Sequence, residues 1–182
     1  MRLPWASEAM TKDSFTLEAL GKVKVRELKA VLAAKLMAAQ SMNINTYFEV
    51  PEEIDHIPAN SFAIVRMIGI IMDNAIEALA ELGSGTLMVG CFKDSAGITF
   101  IVQNNCRADI PKLHQLKEIG FSTKGSGRGL GLGILSELVA SLPNATLSTC
   151  ISNHNFVQKL IIIDMRKKSR EAHNAVNFYL RR

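Results

Sequence analysis

The sequence predicts an α/β (α+β) two-layer sandwich, with helices on one face of a mixed, mostly antiparallel sheet. Three observations predict it. Two long segments, 25–43 and 62–82, carry apolar residues at spacings of three and four. Two pairs of short apolar runs, 86–92 with 98–103, joined by a turn, and 146–151 with 156–163, read as strands. A third helical stretch, 130–142, separates the pairs, and no internal repeat or low-complexity tract interrupts the order.

Each element follows from local chemistry. Residues 1–16 are weakly patterned and read as a linker or a truncated helix end. From Val25, the residues Leu28, Val31, Leu32, Lys35, Leu36 and Ala39 form one helical stripe. Residues 44–50 alternate, with Ile44, Thr46, Phe48 and Val50 on one face, and Pro51 closes the strand. A loop to residue 60 leads to Asn60 or Ser61 as N-cap, and Gly83-Ser84-Gly85 ends the long helix. Residues 93–97 turn the first strand pair into a hairpin. The stretch 104–128 is long, polar and glycine-bearing, with a short helix expected at 111–118; loops of that length are usually functional or disordered. Pro143-Asn144 stops the third helix, and 165–182 is a basic tail.

Composition narrows the class. At 182 residues, 48% hydrophobic and 21% charged, the chain suits one domain with a real core. It is not disordered, collagen-like or disulfide-dense. No apolar run approaches the ~18 residues of a membrane span; the best, 62–72, is cut by Arg66. With no secretory core in the first 20 residues, the reading is a cytoplasmic-type domain without membrane contact. The net charge of +4 is concentrated in the tail, which holds +5 from Arg166 to Arg182, so the rest sums to about −1 and carries no nucleic-acid footprint. Cys91, Cys106 and Cys150 form no CxxC pair and read as reduced thiols.

Two stretches carry chemistry. Glycine recurs at every second position from Gly125 to Gly133, between Lys124, Arg128 and the start of a helix. Bare backbone there can turn successive N–H groups toward an anion, and the helix N-terminus adds partial positive charge. A phosphate-bearing ligand fits. The stretch matches neither a P-loop, which needs lysine after the second glycine, nor the GxGxxG dinucleotide fingerprint. The second stretch, Asp73-Asn74-Ala75-Ile76-Glu77-Ala78, lies mid-helix. Asn74 shares a face with Met67, Ile70, Ile71 and Ala78, where an unpartnered amide is costly. Its oxygen is a neutral hard donor suited to Mg²⁺, and Glu77, one turn on, can hold the ion's waters.

Together these stretches resemble the N box and the G2 box with ATP lid of the GHKL ATPases. More narrowly, the chain is similar to the catalytic domain of AgrC/ComD-type quorum-sensing sensor histidine kinases. Val23 to Lys29, Ala33 to Leu36, Ala39-Gln40, Phe100 to Cys106, Phe121 to Gly125 and Gln158-Lys159 support the likeness over residues 17–163. The resemblance implies a Bergerat fold spanning 17–164, binding ATP and Mg²⁺ under a mobile lid, with 1–16 as the end of a preceding helical hairpin. Asn74, Lys124 and Arg128 become the catalytic set, with Asn74 on the metal. The nucleotide-binding set adds Glu77, Asn104, Cys106, Ala108, Ile110, Phe121, Ser122, Thr123, Gly125, Gly127, Gly129, Leu130, Gly131 and Gly133. Asn104 falls where many GHKL proteins carry the Asp that accepts from the adenine amino group; Cys106 and Ala108 replace the glycines that follow it.

Ile70 stands where GHKL hydrolases place a water-activating Glu, so the resemblance implies transfer rather than hydrolysis. The acceptor it implies is a histidine on a helical hairpin. His56, His114, His154 and His173 lack that setting, so the acceptor is expected outside this chain, on the dimerisation hairpin of a homodimeric, membrane-bound parent. A response regulator is expected downstream, and the domain alone is expected to be monomeric. Two other readings stay open from the residues: an anti-sigma-factor-like serine kinase and a degenerate nucleotide-binding module without activity.

Overall fold

A computed structural model describes residues 17–108 and 130–166. The linker 1–16, the expected helix 111–118, most of the glycine-bearing stretch and the tail beyond residue 166 lie outside the described residues. The chain order is α1 (Leu17–Gly21), α2 (Arg26–Ser41), β1 (Asn45–Glu49), α3 (Ser61–Leu82), β2 (Thr86–Lys93), β3 (Gly97–Asn105), α4 (Leu130–Ala140), β4 (Ala145–Ser152) and β5 (Asn155–Ile163). The five strands form one sheet in the order β1-β2-β3-β5-β4. β1 runs parallel to β2, and the other pairs are antiparallel.

The long helix has the ends its sequence predicts. Asn60 Oδ1 accepts from the Ala63 N–H at 3.2 Å, satisfying a first-turn donor. Gly83 at φ 78° closes the C-terminus, its N–H donating to the Leu79 and Ala80 carbonyls. α3 packs on β3 and α2 packs on α3. Leu28, Leu32 and Leu36 of α2 meet Ile64, Met67, Ile71 and Leu79 of α3 in one core with Leu87, Val89, Phe100, Val102, Leu160 and Ile162 of the sheet. The alternation read in 44–50 is borne out, with Ile44, Thr46, Phe48 and Val50 all buried.

Three features differ from the sequence reading. The short α1 was not expected. Within the segment read as loop, Ile54 forms a parallel bridge with Val23, tied by Lys24 N–H to Ile54 O and Ile54 N–H to Lys22 O. A single bridge has no period, so no local pattern announces it. Asn104 and Asn105, placed by sequence at the start of the polar stretch, belong to β3 instead. Pairing with Phe156 and Asn155 holds them in the ladder despite their low strand propensity.

At the sheet end remote from Asn104, a charged cluster closes the fold. Lys93 donates to Asp55, His56 Nδ1 lies 2.9 Å from Asp55, and His56 Nε2 is 3.7 Å from the buried Asp164. Arg166 Nε reaches Asp164 Oδ1 at 3.3 Å. Hydrogen bonds from Lys93 and then His56 hold the Asp55 carboxyl well below its usual range. Burial pushes the Asp164 carboxyl up, but the bonds from Arg166 and His56 outweigh it and leave it lowered. Both carboxyls therefore bind protons more weakly folded than unfolded, so their stabilisation is complete above the ordinary carboxylate pKa of about 4 and is lost as pH falls below it. Thermal melts followed by circular dichroism should hold their midpoint from neutral pH to about pH 5 and decline below that. Asp55→Asn should flatten the decline; an unchanged acid limb would remove Asp55 from the account.

Candidate nucleotide site

The second half of α3 presents two adjacent polar residues with different fates. Asp73 is held by Lys35 of α2, whose Nζ lies 2.6 Å from Oδ1 and 2.8 Å from Oδ2. This pair locks the two helices and accounts for the Asp. Asn74 has no such partner. Its Nδ2 is buried and makes no hydrogen bond, a condition few native polar groups tolerate without a use.

The start of α4 lies directly on this side chain. A Cβ built on Gly131 would sit 3.2 Å from Asn74 Oδ1, 3.5 Å from its Nδ2 and 3.3 Å from Ile70 Cγ2. A side chain there would be a tight fit, and Asn74 or Ile70 would have to give by a few tenths of an ångström. Gly133, two residues on, would meet nothing within 4 Å. Of the two described members of the alternating glycines, one lies tight against α3 and the other faces open space.

At the end of β3, two neighbouring asparagines divide the work. Asn105 is committed to the fold: its Oδ1 accepts from the Thr86 N–H at 2.8 Å and its Nδ2 donates to Asn155 Oδ1 at 3.1 Å. Asn104 is 3% exposed and shares the helix-covered face with Phe100 and Val102. Its Nδ2 donates to the Asn105 carbonyl at 2.8 Å, which orients the amide and leaves the oxygen as the accepting end.

Glu77 is exposed one turn beyond Asn74, and Ala108 is exposed beyond β3. Cys106 is half-buried, its N–H donating to the His154 carbonyl, and burial raises its thiol pKa. Leu130 opens α4. Ile110, Phe121, Ser122, Thr123, Lys124, Gly125, Gly127, Arg128 and Gly129 lie outside the described residues. Among the described residues no group of three or more His, Cys, Asp or Glu side chains is placed to hold a metal. The Asn74 carboxamide oxygen fits Mg²⁺ brought in with a phosphate ligand, since that ion commonly takes few protein donors and keeps its waters, and the unsatisfied N–H suits a phosphate or water oxygen beside it. Sequence reasoning gave no site role to Gln158, whose Nε2 is also buried without a partner.

A helix-covered mixed sheet, with an unsatisfied carboxamide under a helix that starts in glycines, defines an α/β sandwich with a candidate ligand site. A family model described as the GHKL domain matches residues 59–163, and the chain belongs to that family. It is similar to the signal transduction histidine-protein kinase AtoS of Escherichia coli (strain K12), 24% identical over 116 residues; the match takes in 62% of this chain and 19% of AtoS. The fold is that of the catalytic domain of histidine kinase ThkA in a nucleotide-free form, with a TM-score of 0.64 and 23% identity over 85% of this chain and 97% of that one. ThkA in complex with response regulator protein TrrA also matches, with a TM-score of 0.60 and 23% identity over 80% of this chain and 42% of that one. No helix among the described residues is long and apolar enough to cross a membrane.

Proposed function

We propose that this chain is the ATP-binding catalytic domain of a sensor histidine kinase of the AgrC/ComD, quorum-sensing type. It binds ATP with Mg²⁺ and positions the γ-phosphoryl for transfer to a histidine on a dimerisation hairpin outside this chain. The observation that carries the reading is the unsatisfied Asn74 amide lying against Gly131. Mg²⁺, when bound with ATP, supplies charge neutralisation at the phosphates; Asn74 would hold it, with Glu77 toward its waters. Lys124 and Arg128 bring positive charge to the phosphates, Asn104 accepts from the base, and Gly127, Gly129 and Gly131 offer backbone N–H groups. Such transfer depends mainly on positioning and electrostatics, and an external nucleophile completes it. Ile70, packed near Gly131, offers no base to activate water. The AtoS and ThkA likenesses support the kinase reading, and the ThkA–TrrA complex supports a response regulator as the downstream partner. The parent is then a membrane-bound homodimer with this domain in the cytoplasm.

The test is transfer of γ-labelled phosphate from ATP to a separately prepared histidine hairpin of a kinase of this type. The expected product is an acid-labile, base-stable label on the hairpin, absent without Mg²⁺, with no steady phosphate release by the domain alone. Steady ATP turnover without the hairpin would overturn the transfer reading. Label on a partner serine in its place would favour the serine-kinase alternative.

A further inference from the structure

Three buried side-chain atoms among the described residues lack a hydrogen-bond partner: Glu49 Oε2, Asn74 Nδ2 and Gln158 Nε2. Glu49 lies on the face of β1 opposite Thr46 and Phe48, away from the core, and Asn74 belongs to the site above. Gln158 has no such account. It is 2% exposed and sits on the helix-covered face of β5, in line with the buried Leu160 and Ile162. An aliphatic side chain would fill that position without burying an amide that has no acceptor. The register supplies a use. Gln158 pairs with Val102 and Asn104 pairs with Phe156. The two residues are therefore diagonal neighbours on one face of adjacent strands, at positions about 7–8 Å apart and within reach of a long side chain.

We propose that Gln158 is a base-recognising residue of the nucleotide site, its amide N–H donating to a purine ring nitrogen while Asn104 accepts from the exocyclic amino group. The inference rests on the nucleotide reading and deepens it. Adenine carries an amino donor flanked by ring-nitrogen acceptors, a pattern that carboxamides complement. Guanine carries an acceptor at the amino position, so Asn104 Oδ1 would face another oxygen. The pair thus selects ATP over GTP.

The test is calorimetric titration of the chain and of Gln158→Met with Mg²⁺ and, in turn, ATP, 1-deaza-ATP and 7-deaza-ATP. Methionine keeps the side-chain length and removes the amide. The wild type should bind ATP about tenfold more tightly than the analogue lacking the contacted nitrogen, a loss in keeping with one hydrogen bond. Gln158→Met should weaken ATP by a similar factor and bind ATP and that analogue equally. Its nucleotide-free melting midpoint should be unchanged or higher, because no bond within the fold is lost. A variant that melts lower yet keeps the wild-type ratio between ATP and both analogues would assign the amide to the fold and overturn the inference. Equal binding of all three nucleotides by the wild type would overturn it too. Failure of the wild type to bind ATP at all would instead bring down the nucleotide reading, and this inference with it.

Discussion

Asn74→Ala is expected to lower Mg²⁺-dependent ATP affinity by at least about 100-fold, the upper range for losing even an indirect partner of a bound metal, while leaving the fold intact. The two halves of that expectation have separate causes. Asn74 Nδ2 is buried and bonded to nothing, so the alanine variant gives up no hydrogen bond of that group within the fold. It removes an unsatisfied amide that costs about 1–3 kcal/mol, set against a small loss of packing, so the nucleotide-free melting midpoint should stay level or rise. What the variant loses is the oxygen donor. Titrations in EDTA should bring the wild type down to the level of the variant, because both then lack the same interaction. Gly131→Ala gives a graded version of the result. Its Cβ would press on Asn74 Oδ1 at 3.2 Å and on Ile70 at 3.3 Å, shifting the carboxamide without deleting it, and should cost affinity with the fold retained. If Asn74→Ala binds ATP as the wild type does in the presence of Mg²⁺, Asn74 does not hold the metal.

The largest expected effect on stability lies at the opposite end of β3. Gly97 has φ 154°, and a Cβ there would fall 2.0 Å from the Ile162 carbonyl oxygen. That oxygen belongs to the backbone of β5, paired with β3 along its whole length, so it cannot move aside as a flexible side chain would. Gly97→Ala must separate the strands locally or bend β3, at a cost of about 3 kcal/mol. For a domain of this size the melting midpoint should drop by roughly 6–12 °C. Asn104 lies at the far end of the same strand, so below its lowered midpoint the variant should still bind ATP with near wild-type affinity. A midpoint within a degree or two of the wild type would show that the hairpin absorbs the side chain and that the close approach is not required.

Much of the candidate site was legible because its signals are local. An asparagine on an apolar helical face and glycines at every second position each depart from what an ordinary helix or loop needs, and both departures stand in short stretches of sequence. Asn104 was named, yet it was placed in a loop, because a polar residue at a strand end looks like the start of a loop; the ladder reaches it from Leu87 of β2 in the same hairpin and from Phe156 of β5, some 50 residues later. Gln158 was named only as part of the family likeness and given no site role, because one glutamine among aliphatic residues does not show its burial in the sequence.

The sequence by itself determined the three longer helices, the ends of α3, the β2–β3 hairpin and the residue types at the candidate site, since periodicity, turn chemistry and side-chain donors are properties of neighbours along the chain. The tertiary structure alone decided the parallel pairing of β1 with β2, the bridge between Val23 and Ile54, the division of labour between Asn104 and Asn105, and which described glycine lies tight against α3. These depend on which distant backbone comes within a few ångströms. Whether a polar group is satisfied or left unpartnered is set by that approach, and not by the residues beside it.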